Sequence, residues 1–171
     1  MKRLLVVVDM QNDFIDGSLG TKEAQGIVPA AAARIRDYES AGDAVVFTLD
    51  THGEDYLSTQ EGRNLPVEHC IRGTEGWNLE ARLAGFEGKR FEKPSFGSLE
   101  LARWAAEQKF EEIELIGLCT DICVISNAMI LKAALPEAVI SVNAACCAGV
   151  TPESHETALR AMEACQIRVI R

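Results

Sequence analysis

Short runs of β-branched and aliphatic residues alternate along this chain with longer segments in which apolar residues return every three or four positions. βα units generate that alternation, and it directs the chain toward a mostly parallel sheet with helices packed on its faces. The spacing predicts strands at 3–8 (RLLVVV), 44–49 (AVVFTL), 112–116 (EIELI), 138–142 (AVISV) and 167–170 (IRVI), with a weaker one at 89–92. Helical periodicity runs over 28–40, 98–109, 121–134 and 152–164. Ser98 and Thr151 stand where N-caps belong, and Pro152 follows at the first helical position. The expected fold class is α/β: a three-layer α/β/α sandwich around a Rossmann-like sheet. It forms a single domain over residues 1–171, because no repeat, low-complexity tract or Pro/Ser-rich linker divides the chain.

The chain has 171 residues, 47% of them hydrophobic and 25% charged, an ordinary globular balance that excludes disordered and fibrous classes. Asp and Glu number 26 against 17 Lys and Arg, and the net charge of −9 repels nucleic-acid phosphates and anionic membrane surfaces. A small-molecule partner is the expectation, and self-association is left open. The aliphatic run at 4–8 stops at Asp9, far short of the ~20 apolar residues that a membrane helix needs. It is also too short for a secretory signal, so the expected compartment is the cytoplasm. Cys70, Cys119, Cys123, Cys146, Cys147 and Cys165 read as free thiols, most of them packing.

The one long irregular stretch is 50–77, and loops of that length in a compact domain are usually functional. In open α/β sheets ligands bind beyond the carboxyl ends of the strands, which places Asp9, Asp50, Lys93 and residues 117–123 near one crevice. Asp9, in DMQNDF, suits a turn, a phosphoacceptor or a metal ligand. A D-x-D phosphoacceptor lacks its second acid, because Gln11 stands there, and no Gly-rich phosphate loop follows the strand. Lys93 precedes Pro94, which favours extended backbone. In GLCTDICV (117–124) a strand runs directly into a helix. If Thr120 or Asp121 caps that helix, Cys123 sits in its first turn, where free N–H groups favour a thiolate; the alternative is a packed structural cysteine. Asp50 and His52 lie two apart and point the same way off an extended segment. With Glu61 and His69 they make a donor set acceptable to zinc, iron or manganese, against the alternative of unrelated loop residues. His155 falls on a polar helix face and reads as a surface residue.

Asp9 within DxQxDF, Lys93 before a Ser/Phe-containing loop, and Cys123 within GLCTDICV together resemble the isochorismatase-like cysteine hydrolases, the superfamily that includes nicotinamidases. The blocks occur in the family's order and span nearly the whole chain. The resemblance implies an Asp9, Lys93, Cys123 triad that hydrolyses a small amide, nicotinamide first, through a thioester. It implies an oxyanion hole from the backbone N–H groups of Cys119 and Cys123, with a non-proline cis peptide at Leu118–Cys119. It also implies a divalent metal ion, zinc first, held by Asp50, His52, Glu61 and His69, His69 preceding the Gly73-Thr74 turn. Two positions depart from the family pattern. Pro66 stands where many nicotinamidases carry a stacking tryptophan, so Phe14, Trp77 and Leu118 are expected to wall the substrate pocket. Cys119 replaces a frequent alanine and puts a second thiol beside Cys123. The alternatives are a related hydrolase acting on another small amide or ureido compound and, from a different class, a thiol-redox protein.

Overall fold

The structure is a computed structural model that describes residues Met1–Arg171. Its centre is a sheet of six strands: β1 (Arg3–Val8), β2 (Ala44–Asp50), β3 (Lys89–Lys93), β4 (Glu112–Leu118), β5 (Val139–Ala148) and β6 (Arg168–Ile170). Every pairing is parallel, in the order β3-β2-β1-β4-β5-β6. The order reverses between β1 and β4, the switch point where α/β sheets open a crevice at their carboxyl ends. Both faces of the central strands are covered, which is why β1 reads as an unbroken aliphatic run and not as an alternating one. Leu4, Val6 and Val8 enter the core beneath three helices, whereas Leu5 and Val7 enter the opposite core beneath one long helix. All five are fully buried, each side chain worth about 1.5–3 kcal/mol relative to exposure.

The three helices on one face are α4 (Leu99–Gln108), α5 (Ile125–Ala134) and α6 (Pro152–Ala164); α2 (Lys22–Ala41) covers the other. Ser98 caps α4 by accepting from the Leu101 amide. Thr151 caps α6 in a reciprocal box with Ser154, Pro152 being the first helical residue. The α2 helix begins at Lys22, six residues before the periodicity suggests, with the Thr21 hydroxyl capping it. Pro29 lies inside it, and its missing N–H is tolerated because Pro29 and Gln25 are both exposed, leaving the unpaired carbonyl to water. β5 runs on to Ala148, past the expected end at 142. A register shift against β4 between Leu115 and Gly117 lets the strand resume through the small residues 144–148, which carry no strand-like alternation of their own. Two short helices, α1 (Asn12–Ile15) and α3 (Gln60–Asn64), sit in loops where the sequence shows no period, with a single 3₁₀ turn at Tyr56–Ser58. No helix is long and apolar enough to cross a membrane.

Candidate active site and metal centre

Asp9 is the first residue past β1, and its backbone adopts φ 47°, a left-handed conformation uncommon for anything but glycine. Such strain persists only where surrounding contacts impose it. Here the Asp9 amide donates to the Thr48 carbonyl at 3.2 Å, and the Thr48 hydroxyl donates to Asp9 Oδ1 at 2.6 Å. Across the switch point, Gly117 holds φ 116°, and a Cβ there would fall 2.1 Å from the Val8 carbonyl oxygen. Only glycine lets β4 approach β1 closely enough to bring residues 119–123 over Asp9.

Lys93 ends β3 with its side chain 1% exposed. Its ammonium lies 2.6 Å from Asp9 Oδ2, 3.5 Å from Cys123 Sγ and 3.7 Å from Asp50 Oδ1, and it donates to the Ser95 carbonyl at 2.9 Å. Apart from these contacts with Lys93, Asp9 Oδ2 and Asp50 Oδ1 are buried without a hydrogen-bond partner. Burial opposes the Lys93 charge, but the Asp9 and Asp50 carboxylates outweigh it and hold the ammonium protonated. Burial lifts the Asp9 carboxyl above its ordinary value despite Lys93, a direction that suits a base.

Cys123 lies in a π-helical turn (Thr120–Val124) that leads into α5, not in the first turn of an α-helix. The Val124 amide reaches back five residues to the Cys119 carbonyl at 3.1 Å, a widening frequent at functional sites. Neither expected cap acts as one: Thr120 Oγ1 bonds the His155 ring, and Asp121 Oδ1 accepts from the Val150 amide. The thiolate expected from the helix start is also corrected. Burial and the neighbouring Asp9 charge raise the Cys123 thiol well above its ordinary value, more than Lys93 lowers it, so its resting form is protonated. Leu118–Cys119 is a cis peptide, and the Cys119 amide donates to no protein acceptor.

A cavity of about 220 Å³ opens above these residues. Phe14, Leu19, Leu65, Phe96, Ile122 and Val150 make its wall; Cys119 and Cys123 lie on one side of its floor, Asp50, Glu61 and His69 on the other. Two expected wall residues are not there. Trp77 turns its indole away and donates to Thr51 Oγ1 at 2.9 Å, while Leu118 is fully buried in the core beneath α2. Phe96, three residues after Lys93, stands in for them, and Pro66 is exposed outside the cavity.

Asp50, His52, Glu61 and His69 each offer one ligand atom, all within 4.8 Å of one another. Asp50 Oδ2 lies 3.0 Å from His52 Nε2 and 3.3 Å from His69 Nε2, and Glu61 Oε1 lies 3.6 and 3.7 Å from the same nitrogens. His69 Nδ1 faces the Val67 carbonyl at 2.8 Å, an outer contact that leaves Nε2 free to ligate. Burial works to raise Asp50, but its two histidine contacts and Lys93 outweigh it and keep the carboxylate charged. Two imidazoles and two carboxylates whose donor atoms converge within 4.8 Å fit a divalent metal ion. Sequence reading missed two supports of this set. Tyr56 packs edge-on against both histidines, with ring centroids 4.7 and 4.9 Å away. Gln11, fully buried, accepts from the Asp50 amide and donates to the Asp50 carbonyl, both at 2.8 Å, fixing the backbone of that ligand. Only the placement of Gln11 three residues past β1, where a second acid is absent, hints at it.

Known proteins share the fold and the sequence pattern of the chain. The uncharacterized isochorismatase family protein PncA of Bacillus subtilis is 32% identical over 143 residues, covering 75% of this chain and 78% of that protein. The crystal structure of nicotinamidase/pyrazinamidase PncA from Bacillus subtilis covers all of both chains at 30% identity with a TM-score of 0.89. The pyrazinamidase of Pyrococcus horikoshii, solved in complex with zinc, covers 100% of this chain and 99% of its own at 25% identity and a TM-score of 0.84. An Isochorismatase domain matches residues 3–171, the span that carries the whole sheet and every residue of the crevice, and the chain therefore belongs to the isochorismatase family.

Proposed function

We propose that this chain is a metal-dependent cysteine amidohydrolase that converts nicotinamide and water to nicotinate and ammonia. The observation that carries the reading is one buried ammonium, Lys93, 2.6 Å from the Asp9 carboxylate and 3.5 Å from the Cys123 thiol, the thiol lining an apolar cavity together with Asp50, Glu61 and His69 of the four-donor metal set. Asp9 takes the Cys123 proton as sulfur attacks the amide carbonyl, while Lys93 stays charged and faces the negative charge as it passes from the carboxylate to the sulfur. The oxyanion points at the amides of Cys119 and Cys123; one such donor is worth about 3 kcal/mol. Asp9 then returns the proton to the departing ammonia. The thioester left on Cys123 is hydrolysed by water with Asp9 again the base. Asp50, His52, Glu61 and His69 would hold the metal, zinc by the likeness to the Pyrococcus enzyme, and when bound it supplies a Lewis-acidic point for a ring nitrogen of the substrate. All six cysteines are unpaired, which suits the reducing cytoplasm.

One observation favours a second substrate within the same chemistry. No tryptophan stacks over the floor, and the wall is made by Phe14 and Phe96, so a small non-aromatic amide or ureido compound also fits. An ammonia-release screen over nicotinamide, aliphatic amides and ureido compounds, with and without chelator, decides between them. Nicotinamide turnover that chelation abolishes supports the first reading. Chelator-indifferent turnover of a non-aromatic compound selects the second, and release by Cys123→Ala equal to wild type overturns both.

A further inference from the structure

We propose that His155 is a positioning residue for acyl transfer: through Thr120 it holds the π-helical turn that carries the amides of Cys119 and Cys123 toward the oxyanion. The inference rests on the amidohydrolase reading above. Thr120 is fully buried and lies between the two oxyanion donors in sequence, and its Oγ1 is 2.7 Å from His155 Nδ1. A threonine at the start of a helix ordinarily gives its hydroxyl to its own turn. Here Cys119 holds the cap position without a side-chain cap bond, and the Thr120 hydroxyl is directed across the seam to α6. A second bond crosses the same seam, from the Val150 amide to Asp121 Oδ1 at 3.1 Å.

The supporting side is stiff. The first turn of α6 is closed by the Thr151/Ser154 box and by Pro152, which places His155 at a fixed point one turn in. A Cβ at Gly149 would lie 2.8 Å from the His155 amide nitrogen and 2.9 Å from its Cα, so the end of β5 lies directly against that turn. His155 is half-buried, and burial lowers its pKa despite Glu156 and Asp121 beside it, leaving a neutral imidazole whose Nδ1 shares a hydrogen bond with the Thr120 hydroxyl at neutral pH. The contact joins the histidine to no reacting atom. Its effect is to set where two backbone N–H groups point, and a displacement of about 1 Å in such a donor costs on the order of 100-fold in rate.

The test uses the zinc-loaded full chain and compares wild type with His155→Leu, Thr120→Val and His155→Asn, the last keeping a polar atom near the Nδ1 position. His155→Leu and Thr120→Val are each expected to lower kcat for nicotinamide by about 10- to 100-fold with KM within about twofold. The double variant is expected to be no worse than either single one, and His155→Asn to recover most of the loss. Iodoacetamide alkylation of Cys123, followed by peptide mass, is expected to stay within about twofold, because displacement at a saturated carbon develops no oxyanion. Capture of pyridine-3-carbaldehyde, whose oxygen occupies the oxyanion position once sulfur has added, is expected to weaken in parallel with kcat. Unchanged kcat and aldehyde capture in both single variants overturn the proposal. A parallel fall in alkylation also overturns it, since the defect would then lie in the nucleophile or the fold. If wild type releases no ammonia from any amide, the amidohydrolase reading fails, and the aldehyde affinities alone decide whether His155 positions the turn.

Discussion

Two groups of buried charge sit at opposite ends of the same sheet, and they are built to opposite rules. Toward the amino ends of the strands, Glu114 on β4 is buried with every oxygen used. It accepts a fork from Arg34 at 2.8 and 2.6 Å, the Tyr38 hydroxyl at 3.1 Å and the Asn143 amide at 3.2 Å. At the carboxyl ends, Asp9 and Asp50 are as deeply buried, yet each keeps one oxygen without a hydrogen bond, and a single ammonium is shared between them and a thiol. A saturated cluster resists change, because every contact is already made in the folded state. An unsaturated one costs stability and leaves donors and acceptors for a metal ion or a reacting atom. The comparison teaches that burial of charge alone does not mark a functional site; the orphaned oxygens do.

The sharpest way to break that contrast is at the sulfur. Cys123→Ala should lower amide turnover by at least about 10⁴-fold while lowering the melting temperature by no more than a few degrees, because it removes a single sulfur from a residue that packs in the core and lines the cavity. A comparable loss of thermal stability would mean that the carboxyl-end cluster is structural after all. Next in size is the metal set. His69→Ala should weaken zinc binding by at least about 100-fold, as read by a competing chelator on the purified protein. Retained affinity would remove His69 from the donors.

At the other end the effect should reverse. Glu114→Gln is expected to leave turnover within about twofold and to cost about 1–3 kcal/mol, a fall of several degrees in the melting temperature. Its pH dependence carries the sign. Burial opposes the Glu114 charge, but the Arg34 hydrogen bonds win and hold the carboxyl below its ordinary 4.5. The stability it contributes is therefore complete above that value and is lost as pH falls through the lower, folded-state pKa. The gap in melting temperature between wild type and Glu114→Gln should close below pH about 4.5; a gap that holds or widens there would refute the assignment. Smallest of all, Trp77→Phe should change KM for nicotinamide by less than about threefold, since its indole faces Thr51 and not the cavity.

The parts of this picture that could be read from the sequence were those with a period or a place. β1, β2 and β4 show as aliphatic runs and β3 only as a weaker strand signal, and because parallel strands bring their carboxyl ends to one edge, Asp9, Asp50, Lys93 and Cys123 can be placed in one crevice without a coordinate. Contacts between loops left no such trace. Tyr56 against the two histidines and Gln11 clamping Asp50 are set by the path of 50–77, which has no repeat to read. Trp77 and Leu118 were misassigned to the wall because nearness in sequence to a site does not tell which way a side chain turns. Pro29 hid the first turns of α2, and a register shift hid the second half of β5. His155 looked like a surface residue because the polar positions around it in α6 say nothing of a threonine buried across the seam.

The metal donors and the triad differ in how much chain each must gather. Asp50 to His69 is one short segment, and closing so short a loop costs little conformational entropy, whereas Asp9, Lys93 and Cys123 meet only when four strands have docked. Partial loosening that frees β3 or β4 while β1 and β2 stay paired is therefore expected to silence the thiol before segment 50–69 would release a bound metal ion. On gradual denaturation, turnover should vanish first and zinc should be released last.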